Sequence, residues 1–493
     1  MKQILCCLPL LGLMLQKAAS QSHVLNIDPG KTVQTIHNFA ASDAWSCQFV
    51  GNWQDSKRNQ MADWLFSMDT TASGQPRGIG LSMWRFNIGA GSAEQGDSSG
   101  IRDVWRRAES FFGPNQDYDW NKQAGQRWFL QAAKERGVKQ FLGFLNSPPV
   151  AFTRNGKAFA YKGKCNIAPE QYQAAADYIT AVVQGIRRTM GITFNFISPV
   201  NEPQWDWSDG GQEGCPYDND EIAGFTKAIA KTFQRAKLPT QLLLTEAGQL
   251  NYLYSSHGKA ARGQQIETFF GKGAPEKVYK GIAGHSYFTT SPEDTAIAIR
   301  KRVAAALKGI EFWQSEYCIL GDNAGEINGG GRDLGMDAAL YIARVIHTDL
   351  AVANASAWQW WLAISPYQYK DGLIYVDKQE TDGEIHDSKM LWAFGNYSRF
   401  IRPGAKRVML SDEENTGKDI RISAFVNTNR QLCIVIINSG NRQETIDIRC
   451  KGLKKGNMRS YTTNSEGNLQ PGFVNGEAVI PARAVVTLTG NIQ

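Results

Sequence analysis

The stretch Phe194-Asn195-Phe196-Ile197-Ser198-Pro199-Val200 runs without a break into Asn201-Glu202-Pro203. An apolar run of strand length that ends in polar, chemically active residues is the mark of an interior parallel strand opening onto a functional edge. The same design recurs along the chain. Strand-like runs fall at 35–41, 81–88, 140–145, 194–200, 242–245, 281–287, 311–317 and 356–362. Helix-like amphipathic segments lie between or after them, at 56–68, 121–136, 169–190, 220–236, 262–271, 293–308, 335–350 and 388–400. Eight such repeats predict an α/β fold, a (β/α)8 TIM barrel, ahead of a doubly wound open sheet. Glycine-rich polar insertions at 89–100, 205–216 and 321–333 follow strands, and loops after strands build the active face of a barrel.

Beyond Pro403-Gly404 the pattern becomes short alternating segments between Asn/Gly turns, which reads as an antiparallel β-sandwich. Residues 24–27, followed by the turn signal Asp28-Pro29-Gly30, read as one further strand that joins this sheet. The expected organisation is a signal peptide over 1–20, an N-terminal strand of the side domain over 21–34, a catalytic barrel over 35–402 and the β-sandwich over 403–493. The leader reading rests on the apolar stretch 4–15 followed by Ala18 and Ser20 at small-residue positions, and it predicts a secreted or periplasmic protein without a membrane span. Cys6 and Cys7 lie too near the start to carry a lipid.

The remaining cysteines, Cys47, Cys165, Cys215, Cys318, Cys433 and Cys450, are too few to staple so long a chain. Cys165 and Cys215 both stand in loop-like sequence, where a disulfide and two buried thiols are equally open readings. Neither the cysteines nor the six histidines show zinc-ligand spacing, so no metal and no cofactor is expected. A net charge of +6, without a long basic run, argues against nucleic acid. The composition points instead to aromatics: 14 tryptophans supply flat faces for stacking on a ligand.

The seventh run, Glu311-Phe312-Trp313-Gln314-Ser315, delivers Glu316 as the fourth delivers Glu202. In an eight-stranded barrel these two ends face each other across the mouth. Paired carboxyls suit glycoside hydrolysis, one protonating the leaving oxygen and the other meeting the anomeric carbon. Arg85, inside the apolar run Trp84-Arg85-Phe86-Asn87, needs a buried anion, and Glu316 fits that need. His285 and Tyr287 fall on one face of the sixth run, with the Tyr287 hydroxyl able to orient Glu316. Trp205 and Trp207 directly after the Asn-Glu-Pro turn, Trp45 after the first run, and Trp360 or Trp361 in the eighth are the expected sugar-stacking surfaces.

At these residues the chain resembles glycoside hydrolase family 30, and within it the endo-β-1,6-galactanase-like branch. The resemblance is carried by Leu81-Ser82-Met83-Trp84-Arg85-Phe86-Asn87-Ile88-Gly89, Asn146-Ser147-Pro148-Pro149, Asn201-Glu202-Pro203 with Gln212-Glu213-Gly214-Cys215, and Ser315-Glu316-Tyr317. It implies a retaining hydrolase with Glu202 as acid/base, Glu316 as nucleophile and Asn201 bonded to the sugar 2-hydroxyl. The implied partner is a polysaccharide or oligosaccharide, met by a monomer. Other linkages in the family (xylan, β-glucosides, β-1,6-glucan) and a non-catalytic glycan-binding scaffold are the alternatives. Two segments depart from the family pattern, Asn38-Phe39-Ala40-Ala41 on the first run and Val150-Ala151-Phe152 after the two prolines, and both bear on the sugar rather than on the chemistry.

Overall fold

The computed structural model describes residues 22–493 apart from 114, 116, 322, 411–417 and 454–457. The predicted signal segment lies outside the described residues. The chain opens with β1 (Ser22–Thr35) and then lays down eight parallel strands: β2 (Asn38–Ser42), β3 (Met83–Asn87), β4 (Gln140–Phe144), β5 (Phe196–Ser198), β6 (Gln241–Ala247), β7 (Val278–His285), β8 (Glu311–Glu316) and β9 (Ala357–Ser365). Each pairs with the next, and β9 pairs with both β8 and β2, so the sheet closes into a barrel. Helices between the strands occupy the predicted segments, including Asp55–Phe66, Ala124–Glu135, Tyr172–Met190, Asn219–Arg235 and Met336–Ala351.

Strand alternation sorts the side chains. On β3, Trp84 turns outward to pack on Phe66 and Phe129, while Arg85 turns into the barrel. On β9, Trp358 donates its indole N–H to Asp349 on the outer helix, and Trp361, of opposite parity, faces Phe144 and Arg85 inside. Two strands that the sequence reading had not marked, β10 (Gly372–Val376) and β11 (Ile385–Asp387), extend the sheet beyond β9 as a hairpin at the rim.

The side domain is built from β12 (Lys406–Leu410), β13 (Ile420–Val426), β14 (Gln431–Asn438), β15 (Glu444–Cys450), β16 (Met458–Thr463), β17 (Gln470–Val474), β18 (Ala478–Ile480) and β19 (Ala484–Asn491). As the sequence pattern implied, β1 enters this sheet, antiparallel to β12 and parallel to β15. The expected turn at Asp28-Pro29-Gly30 does not end the strand. Between Ile27↔Leu410 and Thr32↔Val408 the β1 side advances five residues against two on β12, so the turn residues are accommodated as a bulge in a continuous strand.

Leu25, Ile27, Ile422, Ile434, Ile436, Val486 and Leu488 form the sandwich core, and the opposite face of β14 and β19, with Val435, Ile437 and Val485, packs into the barrel's core. Asn396 of the last barrel helix (Lys389–Ser398) donates to Tyr461 O and Thr487 Oγ1, adding directional bonds to that apolar seam. Truncating Ile434 to alanine opens a cavity beneath the sheet and is expected to cost about 2–5 kcal/mol. Chemical unfolding measures that loss, with kcat of the folded fraction unchanged because the cavity lies in the side domain.

Candidate active site

Glu316 is the last residue of β8 and is buried. Arg85 donates from Nη1 to Glu316 Oε2 at 2.6 Å, and the Tyr287 hydroxyl donates to Oε1 at 3.1 Å, so both carboxylate oxygens are held. Glu202 stands beyond the short β5, because Pro199 lacks the N–H that would continue the ladder. The chain turns there, and Glu202 adopts φ +45°, a left-handed conformation that a non-glycine residue pays for in backbone strain. Its backbone N–H is fixed by Glu246 O at 2.8 Å, and its carbonyl accepts from the Trp207 indole at 3.0 Å.

Glu246, the penultimate residue of β6, is a third carboxyl in the site and was missed by the sequence reading, which stopped that run at Thr245. The signal was present: Leu242-Leu243-Leu244-Thr245-Glu246 also ends an apolar run in an acid. Glu246 has no exposure and φ +52°. It accepts hydroxyl bonds from Ser198 and Ser315, meets His285 Nε2 at 3.0 Å and lies 3.5 Å from Arg85 Nη2. The other ring nitrogen of His285 is 2.9 Å from Glu202 Oε1. Arg85 Nη2 also donates to Asn201 Oδ1 at 3.3 Å.

These contacts set the protonation pattern. Burial raises the Glu202 carboxyl and the Glu316 charge adds to it, against the pull of His285, leaving Glu202 above the ordinary range. Burial opposes ionisation of Glu246 too, but the Arg85 charge and the bonds from His285 and Ser198 hold it down at about 2. Burial by itself would strip His285 of its proton; the Glu316 charge and the bonds to Glu202 and Glu246 push it instead to about 10. Two cations, Arg85 and His285, thus face three carboxyls, and the set is neutral when Glu202 carries a proton. Glu202, His285 and Glu316 each bring an atom within 4.8 Å of the others, close enough to surround a cation. An imidazolium with both nitrogens engaged has no lone pair to give a metal, so the trio is read as a proton-handling group.

A cleft of about 890 Å³ opens above the two glutamates, lined by Asn201, Trp205, Asp206, Trp207, Tyr287 and Trp361 among others. Trp205 and Trp207 are half-buried on its wall. Their seats require glycine: a Cβ on Gly248 would stand 2.4 Å from the Trp205 indole nitrogen, and one on Gly214 2.5 Å from the Trp207 ring. The remaining expected binding residues do not line the cleft. Arg85 and His285 lie beneath the carboxyls with no exposure. Trp45 is buried edge-on to Trp361 at 5.3 Å and backs that ring. Trp360 shares the outward parity of Trp358, with its indole N–H on Asp371 O, so strand alternation removes it from the sugar site.

Replacing Glu246 with glutamine removes a buried counter-charge from Arg85 and His285, and a loss of about 3–5 kcal/mol in unfolding free energy is expected. The sign with pH follows from the two shifts. Stability from Glu246 is present above its usual value of 4.5 and drains as the pH falls toward 2; that from His285 is complete below 6.5 and drains as the pH rises through about 10. Denaturation curves of wild type and Glu246→Gln should therefore differ most between those two ordinary values, and coincident curves there would remove Glu246 from the network.

Comparison with known proteins agrees with this geometry. The family description "O-Glycosyl hydrolase family 30" matches residues 22–375, and "Glycosyl hydrolase family 30 beta sandwich domain" matches residues 404–488. An endo-beta-1,6-galactanase of Hypocrea rufa is 25% identical over 482 residues, 93% of this chain and 91% of that protein. A crystal structure described as a conserved exported protein from Bacteroides fragilis superposes with a TM-score of 0.87 at 32% identity, covering 94% of this chain and 100% of the other. The catalytic domain of xylanase C from Talaromyces cellulolyticus shares the fold, with a TM-score of 0.72 at 23% identity over 96% of this chain and 100% of its own. The barrel, its β-sandwich and the carboxyls gathered at the strand ends are those of a glycosidase, and the chain belongs to glycoside hydrolase family 30.

Proposed function

We propose that this protein is an exported, retaining endo-β-1,6-galactanase in which Glu202 is the general acid/base and Glu316 the nucleophile. The observation that carries the mechanism is that one carboxylate oxygen of Glu202 and one of Glu316 lie within 4.8 Å of each other across the cleft floor. A spacing of about 5 Å leaves room for a covalent intermediate, whereas inversion needs about 6.5–9.5 Å to admit a water between carboxyl and sugar. With Oε1 of Glu202 taken by His285, Oε2 carries the transferable proton toward the leaving oxygen. Glu316, its oxygens fixed by Arg85 and Tyr287, attacks the anomeric carbon, and the glycosidic bond breaks as Glu202 gives up its proton. Glu202, now a carboxylate, takes a proton from water, which attacks the glycosyl-Glu316 ester and returns the site to its starting state. Asn201, which accepts from Arg85, bonds the sugar 2-hydroxyl in this reading.

The substrate reading is supported by the Hypocrea rufa relative, whose likeness spans both domains. Internal cutting is supported by the cleft, whose volume of about 890 Å³ is more than a single pyranose ring fills. Trp205, Trp207 and Trp361 supply apolar faces for the C–H sides of successive sugars. Incubation with β-1,6-galactan side chains of arabinogalactan, xylan and β-1,6-glucan, followed by chromatography, tests this. Short galacto-oligosaccharides from the first substrate alone are expected, and release from xylan or glucan alone would move the protein to another linkage.

The roles are separable by variants. Glu316→Gln is expected to abolish turnover. Glu202→Ala should lose about 10²–10⁴-fold on the polysaccharide yet form the glycosyl-enzyme readily from a dinitrophenyl glycoside, whose leaving group needs no proton. Because Glu202 acts in its protonated form, wild-type kcat/KM should fall as the pH rises through its raised value, and that basic limb should vanish for Glu202→Ala on the activated substrate. Proton NMR of early products should show the β anomer first.

A further inference from the structure

The cleft wall that carries Trp205 and Trp207 belongs to a loop, 203–217, and that loop is laced to a second one, 153–167, which follows β4. Ala160 N–H donates to Trp207 O at 2.8 Å, Gly214 N–H to Ala158 O at 2.9 Å, and Gly163 N–H to Ser208 Oγ at 2.9 Å. At the inner end of this seam the backbone N–H of Asn166 reaches Cys215 Sγ at 3.3 Å. Its neighbour Cys165 presents a buried thiol to the same sulfur, close enough for a thiol–thiol hydrogen bond. Cys47, Cys318 and Cys433, buried elsewhere, face no second cysteine in any described contact, and Cys450 lies in the side domain.

We propose that Cys165 and Cys215 form a structural disulfide that staples loop 153–167 to the cleft loop, holding Trp205 and Trp207 at the substrate. Both residues are thiols in this structure. The sequence left their pairing open; the facing geometry and the common enclosure favour a cross-link. The oxidant is an external disulfide, small or protein-borne. A thiolate of one cysteine attacks it and releases one thiol, giving a mixed disulfide. The second cysteine, as thiolate, then attacks the protein sulfur of that mixed disulfide and releases the second thiol, so two protein thiols are oxidised while one disulfide is reduced. The bonding from Cys215 and burial push the Cys165 thiol far above its ordinary range, and a thiol that holds its proton is a poor nucleophile. The exchange therefore belongs to folding, before the loops close over the pair.

The staple has a functional consequence. It does not touch the carboxyls, but it fixes the loop from which the flanking sugars are gripped. The test is peptide mapping of the enzyme refolded with a glutathione/glutathione-disulfide buffer, alkylated with iodoacetamide before digestion. A peptide containing Cys165 joined to one containing Cys215 is the expected result; recovery of both as alkylated thiols, or linkage of either to another cysteine, would overturn the proposal. Reductant should lower the melting temperature by several degrees and raise KM for the polymer severalfold, while hydrolysis of a small aryl glycoside changes less than twofold. In the Cys165→Ser/Cys215→Ser double variant, reductant should have no further effect; a melting temperature that still responds to reductant there would place the sensitive bond elsewhere.

Discussion

A single buried cation organises the catalytic mouth. Arg85 points from β3 into the barrel with no exposure, and a guanidinium taken out of water is tolerated only among groups that repay its hydration. It finds Glu316 from β8, Asn201 from the turn after β5 and Glu246 from β6, with its carbon centre 3.8 Å above the Phe144 ring of β4. Strands separated by hundreds of residues are thereby brought to one registry at their carboxyl ends. His285 extends the lattice to Glu202, so the acid on one side of the cleft and the acid on the other share one network of charge.

That network explains how chemically identical side chains take different parts. Glu246 is surrounded by donors and stays ionised, touching Arg85 and His285 beneath the cleft. Glu202 is bonded by His285 and by the Trp205 side chain, but burial and the nearby Glu316 charge outweigh them, and it is poised to hold a proton. The left-handed backbone at both Glu202 and Glu246 is strain that the surrounding bonds overrule, which is where folds commonly store it. Around this polar centre the aromatics divide by parity and place. Trp84 and Trp358 seal barrel against helices, Trp360 stacks beside Trp358, Trp361 faces inward with Trp45 behind it, and Trp205 and Trp207 rise from a loop seated on glycines.

Much of this was legible in the linear pattern because it depends on local period. Apolar runs of strand length that end in Asn201-Glu202 and Ser315-Glu316, separated by amphipathic segments, specify parallel strands and the edge at which their chemistry appears. Glu246 carried the same mark but was read one residue short. The hairpin β10–β11 was not legible, since three to five residues at a rim give no period of their own. Trp360 illustrates a different failure: three tryptophans in Trp358-Gln359-Trp360-Trp361 look equivalent until the facing of the strand is known.

The sequence by itself determined the barrel, the sandwich that follows it, the return of the N-terminal strand to that sandwich and the identity of the two opposed glutamates, because each is encoded in periodicity or in a charge that closes an apolar run. Only the tertiary structure decided that His285 bridges two carboxyls, that Glu246 rather than solvent balances it, and that Cys165 meets Cys215 across two loops. Those relations join residues distant in the chain, and their energies arise from desolvation and from distances of about 3 Å, which exist only once the barrel has closed.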